Sequence, residues 1–494
     1  MRLTDSHSLF LWAALAFVPL MPSSSSLWVD EAQTWRYARH ATFAEWRTEM
    51  AGDKYSESQM PLGMFFAWTW ARLIGTSEWS LRAPNMLWAT GAILIFAALG
   101  RALRLPFLPL LLAIQPFLWF YANEARPYTL QIFSGSILLY GLYRGIQQEL
   151  QGTAWAWIVG VGAVLACGSS MLGFFSTLPA LALLFFWIHR EKWPVRKTQL
   201  AIGMGFTAVL LPLGAYYVSK ILQGAGGAKL WQVGIGNLAF SFLEFLGFTG
   251  LLPSRQLLRA LAQQGTPFFS AWLCHPSRVV PAVFLILFFL GMGLWLIRSW
   301  GQVSAWCRTC CFYLVISFAS LGWVAAMVHF PFWGRHLAAS FPAYVCLLGY
   351  FLNALFAQGL GKKTAGLAVF VCLTTSSLFL RFLPDHAKDD YRGVADYLVR
   401  HRKDAGVIWW AADSVAADYY GLKNYTWVMN FSAEALSRLA QPSLVALSKP
   451  DVYDSQGAIQ DWLASHSFKR VAAFQAFTIW AAPSAGGLGP PPPF

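Results

Sequence analysis

The sequence is short of acidic residues, and their placement is uneven. Only 12% of its 494 residues are charged, about half the share found in soluble proteins. Of the 23 Asp and Glu residues, eleven follow Pro384 and six lie between Ser23 and Met60. Only five lie in the more than 320 residues between Pro61 and Pro384. A stretch this poor in acid predicts a multi-spanning membrane domain, and it excludes a soluble enzyme, a secreted disulfide scaffold and a disordered protein.

The basic residues support the same class of protein. The net charge is +13, but most Lys and Arg residues lie in short stretches between apolar segments. This is the positive-inside pattern of membrane proteins, so we expect no nucleic-acid partner. The fold class predicted is a polytopic α-helical membrane protein with about 11–13 transmembrane helices. Its apolar segments lie near residues 9–22, 61–76, 82–100, 105–121, 128–144, 154–170, 172–189, 198–218, 279–299, 310–329, 336–357 and 364–383.

The basic clusters also predict an orientation in the membrane. They alternate consistently if segment 61–76 makes no net crossing, which gives about eleven crossings with the N-terminus inside and the C-terminus outside. In the alternative, 61–76 is a full span, and Arg101 and Arg104 lie outside. The first apolar segment has features of a signal peptide, but we expect it to be an uncleaved span.

Composition changes after Pro384, where acidic residues return. Asp389–Arg402 has helical spacing of its apolar residues, whereas Gly406–Ala411 and Lys469–Phe474 are typical of buried strands. We therefore expect a small extracytoplasmic α/β domain behind a membrane domain in the cell (inner or plasma) membrane. The predicted boundaries are 1–384 for the membrane domain, with outer loops at 23–60 and 219–277, then 385–482 for the α/β domain and 483–494 for a disordered Pro/Gly tail.

Metal-binding patterns are sparse. Cys307 and Cys310 form a single CxxC without a second pair, which favours small apolar residues near a helix end over a metal or redox site. No Asp-x-Asp occurs, which disfavours a metal-bound nucleotide sugar. The sequence identifies no cofactor, and a divalent metal remains open.

Four short polar segments stand near membrane boundaries. Asp30-Glu31 follows the first apolar segment, where an acid is as consistent with a helix cap as with a catalytic base. Glu124 and Arg126 interrupt two apolar segments, as a functional pair or as a self-neutralising one. Arg335 opens a later segment, where it can clamp a phosphate or extend toward lipid headgroups. The other residues of interest are Gln59 in Glu57–Leu62, Tyr128 after Pro127, and His336 beside Arg335.

Taken in order, these segments resemble the membrane glycosyltransferases of the GT-C fold. The similar runs are Asp30-Glu31, Ser58–Leu62 (SQMPL), Gly75–Pro84 (GTSEWSLRAP), Tyr121–Tyr128 (YANEARPY) and Asp390–Leu398 (DYRGVADYL). The protein O-mannosyltransferase and lipid A aminoarabinose transferase branch, family 39-like, is the most similar. The order and spacing of these short motifs carry the resemblance, which covers most of the chain.

The resemblance implies an inverting transfer on the outer face from a polyprenyl-phosphate sugar to a lipid, glycan or protein acceptor. It implies that Asp30 is the catalytic acidic residue, that Glu31 is the second of the pair, and that Glu124 and Arg126 belong to the second-loop motif. Arg335 then corresponds to a phosphate-binding arginine. Family members often have His or Lys with two prolines where this chain has Ser58–Pro61. Because Gln59 carries no charge, Arg126 or Arg335 would carry more of the phosphate charge.

Two other classes of protein compete with an enzyme. A transporter is disfavoured because we find no internal repeat and few ionisable residues in mid-membrane. A non-catalytic membrane scaffold differs in a testable way, since it should tolerate Asn at position 30.

Overall fold

The computed structural model describes residues 22–147, 152–192, 195–224, 235–254, 257, 273, 276–330, 332–401 and 406–483. These residues form two compact units. The first contains His40–His386 and the chain up to Ser23, and the second contains Ser24–Arg39 and the chain from Ala387 onward. The first predicted span and the predicted C-terminal tail lie outside the described residues, apart from residue 22 and residue 483.

The first unit is built from α-helices, and the predicted polytopic helical fold is confirmed. Among the described residues, seven helical segments are long and apolar enough to cross a membrane. The chain is therefore a multi-pass membrane protein. The seven segments are Glu78–Ala102, Met171–Arg190, Lys197–Leu222, Pro276–Arg298, Ala305–Val328, Gly334–Phe356 and Leu360–Phe382.

Other apolar segments of the described residues form helices that are shorter or less apolar than these seven. Segment 105–121 is broken into two helices, because Pro116 has no N–H to continue the first and instead begins the second. Pro61–Ile74 has 14 residues, about 21 Å at 1.5 Å per residue, which is less than the roughly 30 Å of hydrocarbon. The remaining helices of this unit are Phe43–Gly52, Leu108–Ala113, Pro116–Ala122, Tyr128–Ile146, Ala154–Ser169 and Ile235–Phe245, with 3₁₀ turns at Ser56–Gln59 and Pro384–His386.

The interval 219–277, expected from the sequence to be a large outer loop, is described only in part. It contains the helix Ile235–Phe245, and the chain after this helix packs into the main hydrophobic core. Phe245, Phe248 and Leu251 are all buried there. The cause is the apolar composition of this segment, which is stabilised by burial rather than by exposure to water.

One continuous apolar core runs through the first unit. Cys307 and Cys310 lie in the first turns of the helix Ala305–Val328 and are buried. The six described cysteines are all unpaired by disulfides, and Cys274 lies outside the described residues.

The second unit contains a five-stranded sheet. Its strands are β1 (Val407–Ala411), β2 (Thr426–Trp427), β3 (Pro442–Ser448), β4 (Lys469–Phe474) and β5 (Phe477–Ala481), arranged in the order β2-β1-β3-β5-β4. β1 is parallel to β2 and β3, while β5 is antiparallel to β3 and β4. The two strands predicted from sequence are thus confirmed.

Both faces of this sheet are covered. Ile408 and Trp410 of β1 belong to one core, while Trp409 and Ala411 belong to the other, as alternation along a strand requires. The predicted helix after residue 389 is confirmed as Tyr391–His401. The other helices are Ser414–Tyr419, Ala433–Ser437, Pro450–Tyr453 and Ala458–Ser465, together with Val29–Ala38 from the start of the chain.

Candidate active site

Asp30 and Glu31 lie in the first turn of the helix Val29–Ala38, in the second unit. Backbone N–H groups at a helix start favour negative charge, which explains why two acids are accommodated side by side. The two side chains differ in exposure: Asp30 is partly exposed, whereas Glu31 is fully buried. Of the pair, Asp30 is the carboxylate that is in contact with solvent.

Glu31 is held by a buried ion pair. Its Oε2 atom lies 2.9 Å from the Lys388 ammonium and accepts a 3.4 Å hydrogen bond from the Trp28 backbone N–H. A buried carboxylate needs such partners, because leaving water costs several kcal/mol. Lys388, which sequence reasoning had not selected, lies in the stretch that precedes Asp390–Leu398.

The motif Tyr121–Tyr128 lies in the first unit and forms a tight turn between two helices. The Arg126 N–H donates to the Glu124 carbonyl over 2.7 Å, and the Asn85 amide also donates to that carbonyl. Pro127 directly precedes the helix Tyr128–Ile146. Asn123 does not cap that helix. Its Oδ1 atom accepts hydrogen bonds of 2.9 and 3.0 Å from Ser23 instead.

Arg126 forms an ion pair that the sequence analysis did not anticipate. Its Nη1 atom lies 2.6 Å from Glu57 Oε1, and both side chains are almost completely buried. Glu57 stands two residues before Gln59, which is partly exposed at the end of the 3₁₀ turn Ser56–Gln59. The pair therefore connects the loop that precedes Pro61 to the Tyr121–Tyr128 turn.

Glu244 is 1% exposed and lies at the centre of a polar connection. Its Oε1 atom accepts a 2.7 Å hydrogen bond from the Tyr121 hydroxyl, and its Oε2 atom accepts a 3.2 Å bond from the Gly334 N–H. A Cβ at position 334 would lie 2.9 Å from Glu244 Oε2, so this close approach requires glycine. Glu244 thereby joins the Tyr121–Tyr128 motif to the turn that carries Arg335.

Arg335 and Tyr128 are brought together by this arrangement. The Arg335 guanidinium carbon lies 5.6 Å from the centre of the Tyr128 ring, and that ring packs edge-on against Tyr121 at 4.9 Å. The contact with the ring involves the face of the guanidinium group. The five N–H donors lie in the plane of that group, so the stacked contact does not use them. His336 is buried, and its Nδ1 atom accepts a 3.1 Å bond from the Trp333 N–H, which closes the turn.

Hydrogen bonds, an ion pair and a stacked contact thus group four of the predicted residues of the first unit in one polar region. Arg126, Glu124, Tyr128 and Arg335 belong to it, and Glu57 and Glu244 join them. Glu57 was recognisable from its place beside Gln59. Nothing in the sequence around Glu244 marked it as a site residue, apart from the scarcity of acidic residues in this part of the chain. Within the described part of the chain, no group of three or more His, Cys, Asp or Glu side chains is arranged to hold a metal ion.

No family model and no curated protein matches the chain. The chain is similar to the solved structure of ArnT from Cupriavidus metallidurans in the apo state. The TM-score is 0.55 at 13% identity, over 98% of this chain and 99% of that one. ArnT from Cupriavidus metallidurans bound to undecaprenyl phosphate gives 0.47 at 14% identity, over 98% and 100%. The arabinofuranosyltransferase AftD from Mycobacteria gives 0.45 at 13% identity, over 98% of this chain and 42% of that one.

The similarity to apo ArnT spans nearly the whole of both chains, membrane helices and C-terminal sheet unit alike. ArnT is a lipid A aminoarabinose transferase of the GT-C class. At 13% identity the likeness shows the fold, and this chain accordingly has the polytopic GT-C fold with a small C-terminal sheet domain.

Proposed function

We propose that this protein is an integral-membrane inverting glycosyltransferase that takes a sugar from a polyprenyl-phosphate donor. The observation that carries the proposal is the fold, which matches apo ArnT over 98% of the chain. Two local features support it. Asp30 is partly exposed beside a buried and paired Glu31, and Arg335 lies at a polar region built by the Tyr121–Tyr128 motif.

The proposed chemistry begins with the acceptor. Its hydroxyl or amine is a poor nucleophile until a base removes its proton, and Asp30 takes that proton as the acceptor attacks the anomeric carbon. The bond from this carbon to the phosphate oxygen breaks, and its electron pair leaves with the polyprenyl phosphate. The anomeric configuration inverts. Such a base accelerates the reaction by roughly 10²–10⁴-fold, and the transition state resembles an oxocarbenium ion.

The leaving phosphate needs positive charge or hydrogen-bond donors. Because Arg126 is already paired with Glu57, we assign the larger share of phosphate binding to Arg335, with Gln59, His336 and Tyr128 as polar neighbours. A guanidinium suits this role, since its planar donors match the oxygens of a phosphate. Glu124 is the acidic side chain of the same turn as Arg126, and we include it in the site.

The base assignment is tested by turnover of purified protein with several polyprenyl-phosphate sugars. Asp30→Asn should lower kcat by roughly 10²–10⁴-fold. Asp396→Asn makes the same change at an exposed position of the same unit and should retain full turnover. Equal turnover by wild type and Asp30→Asn would remove Asp30 from the mechanism and favour the scaffold alternative.

Donor binding is tested separately. Arg335→Ala should weaken binding of the polyprenyl-phosphate sugar by about tenfold or more, the loss expected for a charge-assisted contact. Arg298→Ala, at an exposed helix end, is the control. Unchanged affinity would make Arg335 an anchor in lipid headgroups. A reporter fused after Arg392 tests the proposed extracytoplasmic side of the sheet unit, and a cytoplasmic signal there would contradict the orientation.

A further inference from the structure

The segment Ser24–Arg39, which carries Asp30, is an integral part of the sheet unit. Ala32 is fully buried in one of that unit's apolar cores. The Leu27 N–H donates to the Tyr420 hydroxyl over 2.6 Å, and the Arg392 guanidinium donates to the Ser24 carbonyl over 2.6 Å. The proposed base thus sits on a helix that a domain more than 350 residues later in the chain holds in place.

The edge of the sheet at which this segment docks is chemically distinctive. Asp413 follows β1 and Lys449 follows β3, so both stand at the carboxyl ends of adjacent parallel strands. In open α/β sheets, this edge, at the point where strand order reverses, is where ligands bind. The order β2-β1-β3 puts that point between β1 and β3. Here the chain itself occupies the edge.

Named side-chain contacts join the segment to the edge. The Gln33 amide donates to Asp413 Oδ2 over 3.2 Å, and the Lys449 ammonium lies 5.6 Å from the centre of the Trp28 ring. Lys449 also pairs with Asp389, one residue after Lys388, which pairs with Glu31. Two lysines of the sheet unit thus fix the residues on both sides of Asp30.

The electrostatic environment of Tyr453 also groups Asp30 with the acidic residues at this edge of the sheet. Burial first, and then nearby carboxylates, raise the pKa of the Tyr453 phenol; those carboxylates belong to Asp413, Asp389 and Asp30. Carboxylates this close repel one another unless cations offset them. Lys449 pairs with Asp389 and Lys388 pairs with Glu31, next to Asp30, so both lysines contribute positive charge to this acidic edge.

We propose that the sheet unit holds the segment Ser24–Arg39, which carries the proposed base, in its working position. In this proposal Lys388 is a positioning residue for Asp30 and acts through Glu31. The ligand-binding edge of the sheet has become a docking edge for the chain's own active-site helix. The expected effect on turnover rests on the proposed function. The expected docking of the segment on the sheet unit does not. It also gives the C-terminal unit a role in the reaction.

The test uses the full-length protein in detergent or nanodiscs, with two independent readouts. Hydrogen exchange of peptides covering residues 24–39 reports whether this segment is docked on the sheet unit. This readout does not require the protein to be enzymatically active. Lys388→Met removes the ammonium that pairs with the buried Glu31 carboxylate, so exchange there should accelerate roughly 10- to 100-fold. Lys388→Arg should restore protection, and so should Glu31→Gln added to Lys388→Met. Lys469→Met, at an exposed position of the same sheet, is the matched control.

The kinetic readout separates positioning from binding. Lys388→Met should lower kcat by about 10²-fold, as expected for a displaced catalytic group, while the KM for the polyprenyl-phosphate sugar stays within about threefold. Tyr420→Phe removes the acceptor of the Leu27 N–H. It should also accelerate exchange at residues 24–39 and lower kcat, but by less than Lys388→Met does.

The possible outcomes are distinct. Unchanged hydrogen exchange at residues 24–39 in Lys388→Met would overturn the proposal that the sheet unit holds this segment in position. Faster exchange with unchanged kcat in an active enzyme would overturn the positioning role. If wild type turns over none of the sugar donors, the proposed function fails, and exchange alone then decides whether the edge holds the segment.

Discussion

The buried pair between Glu57 and Arg126 offers a quantitative test of how the first unit is held together. The two side chains are 3% and 2% exposed and lie 2.6 Å apart. Removing one partner from such a pair costs about 3–5 kcal/mol, because the other charge is left buried without compensation. Arg126→Met and Glu57→Gln should therefore each lower the free energy of unfolding by about that amount.

The double variant distinguishes this explanation from general damage. Glu57→Gln with Arg126→Met leaves neither charge, so its loss should be smaller than the sum of the single losses by at least about 2 kcal/mol. The assay is denaturant unfolding of the purified protein in detergent. Arg190→Met removes one partner of the exposed pair with Glu191, 3.4 Å apart and about half exposed, and should cost at most about 1 kcal/mol.

Additive losses in the cycle would refute the reasoning. They would mean that the two side chains contribute separately and that the short contact carries no coupling. A loss in Arg190→Met as large as that in Arg126→Met would also refute it, because burial would then not decide the energy of the pair.

Two further predictions concern a close contact and a buried histidine. A Cβ at Gly135 would lie 1.9 Å from the Ala339 carbonyl oxygen, whereas one at Gly203 meets nothing within 4 Å. Gly135→Ala should therefore lower the melting temperature, and Gly203→Ala should not, since helix propensity favours alanine. Burial, and then the Arg278 charge, lower the pKa of His386 to about 4. Unfolded protein takes up this proton near pH 6.5, so stability should fall as pH drops from 6.5 to 4. Unfolding at a series of pH values should show this slope reduced in His386→Gln; an unchanged slope would assign it elsewhere.

Most of the secondary structure could be predicted because its signals are local. Apolar runs of sufficient length became helices, and Val407–Ala411 and Lys469–Phe474 became strands as their β-branched and apolar residues indicated. Prediction was weaker where a proline divided a run, as at Pro116. The expectation of an outer loop at 219–277 did not include the helix Ile235–Phe245 or the burial of Phe248 and Leu251.

The candidate site was only half predictable. Glu124, Arg126 and Tyr128 stand together in one motif, so their grouping followed from the sequence. The partners of that motif did not. Glu57 lies 69 residues from Arg126, and Glu244 lies 123 residues from Tyr121, so no spacing rule connects them.

By itself, the sequence determined the class of this protein: a multi-pass membrane chain with a small α/β unit near its C-terminus. Hydrophobic runs and the placement of charge act over short distances along the chain, and they carry that information directly. Only the tertiary structure decided which charges are neutralised and which helix belongs to which unit. Glu31 pairs with Lys388 and Arg126 pairs with Glu57, because buried charges require partners wherever in the chain those partners lie.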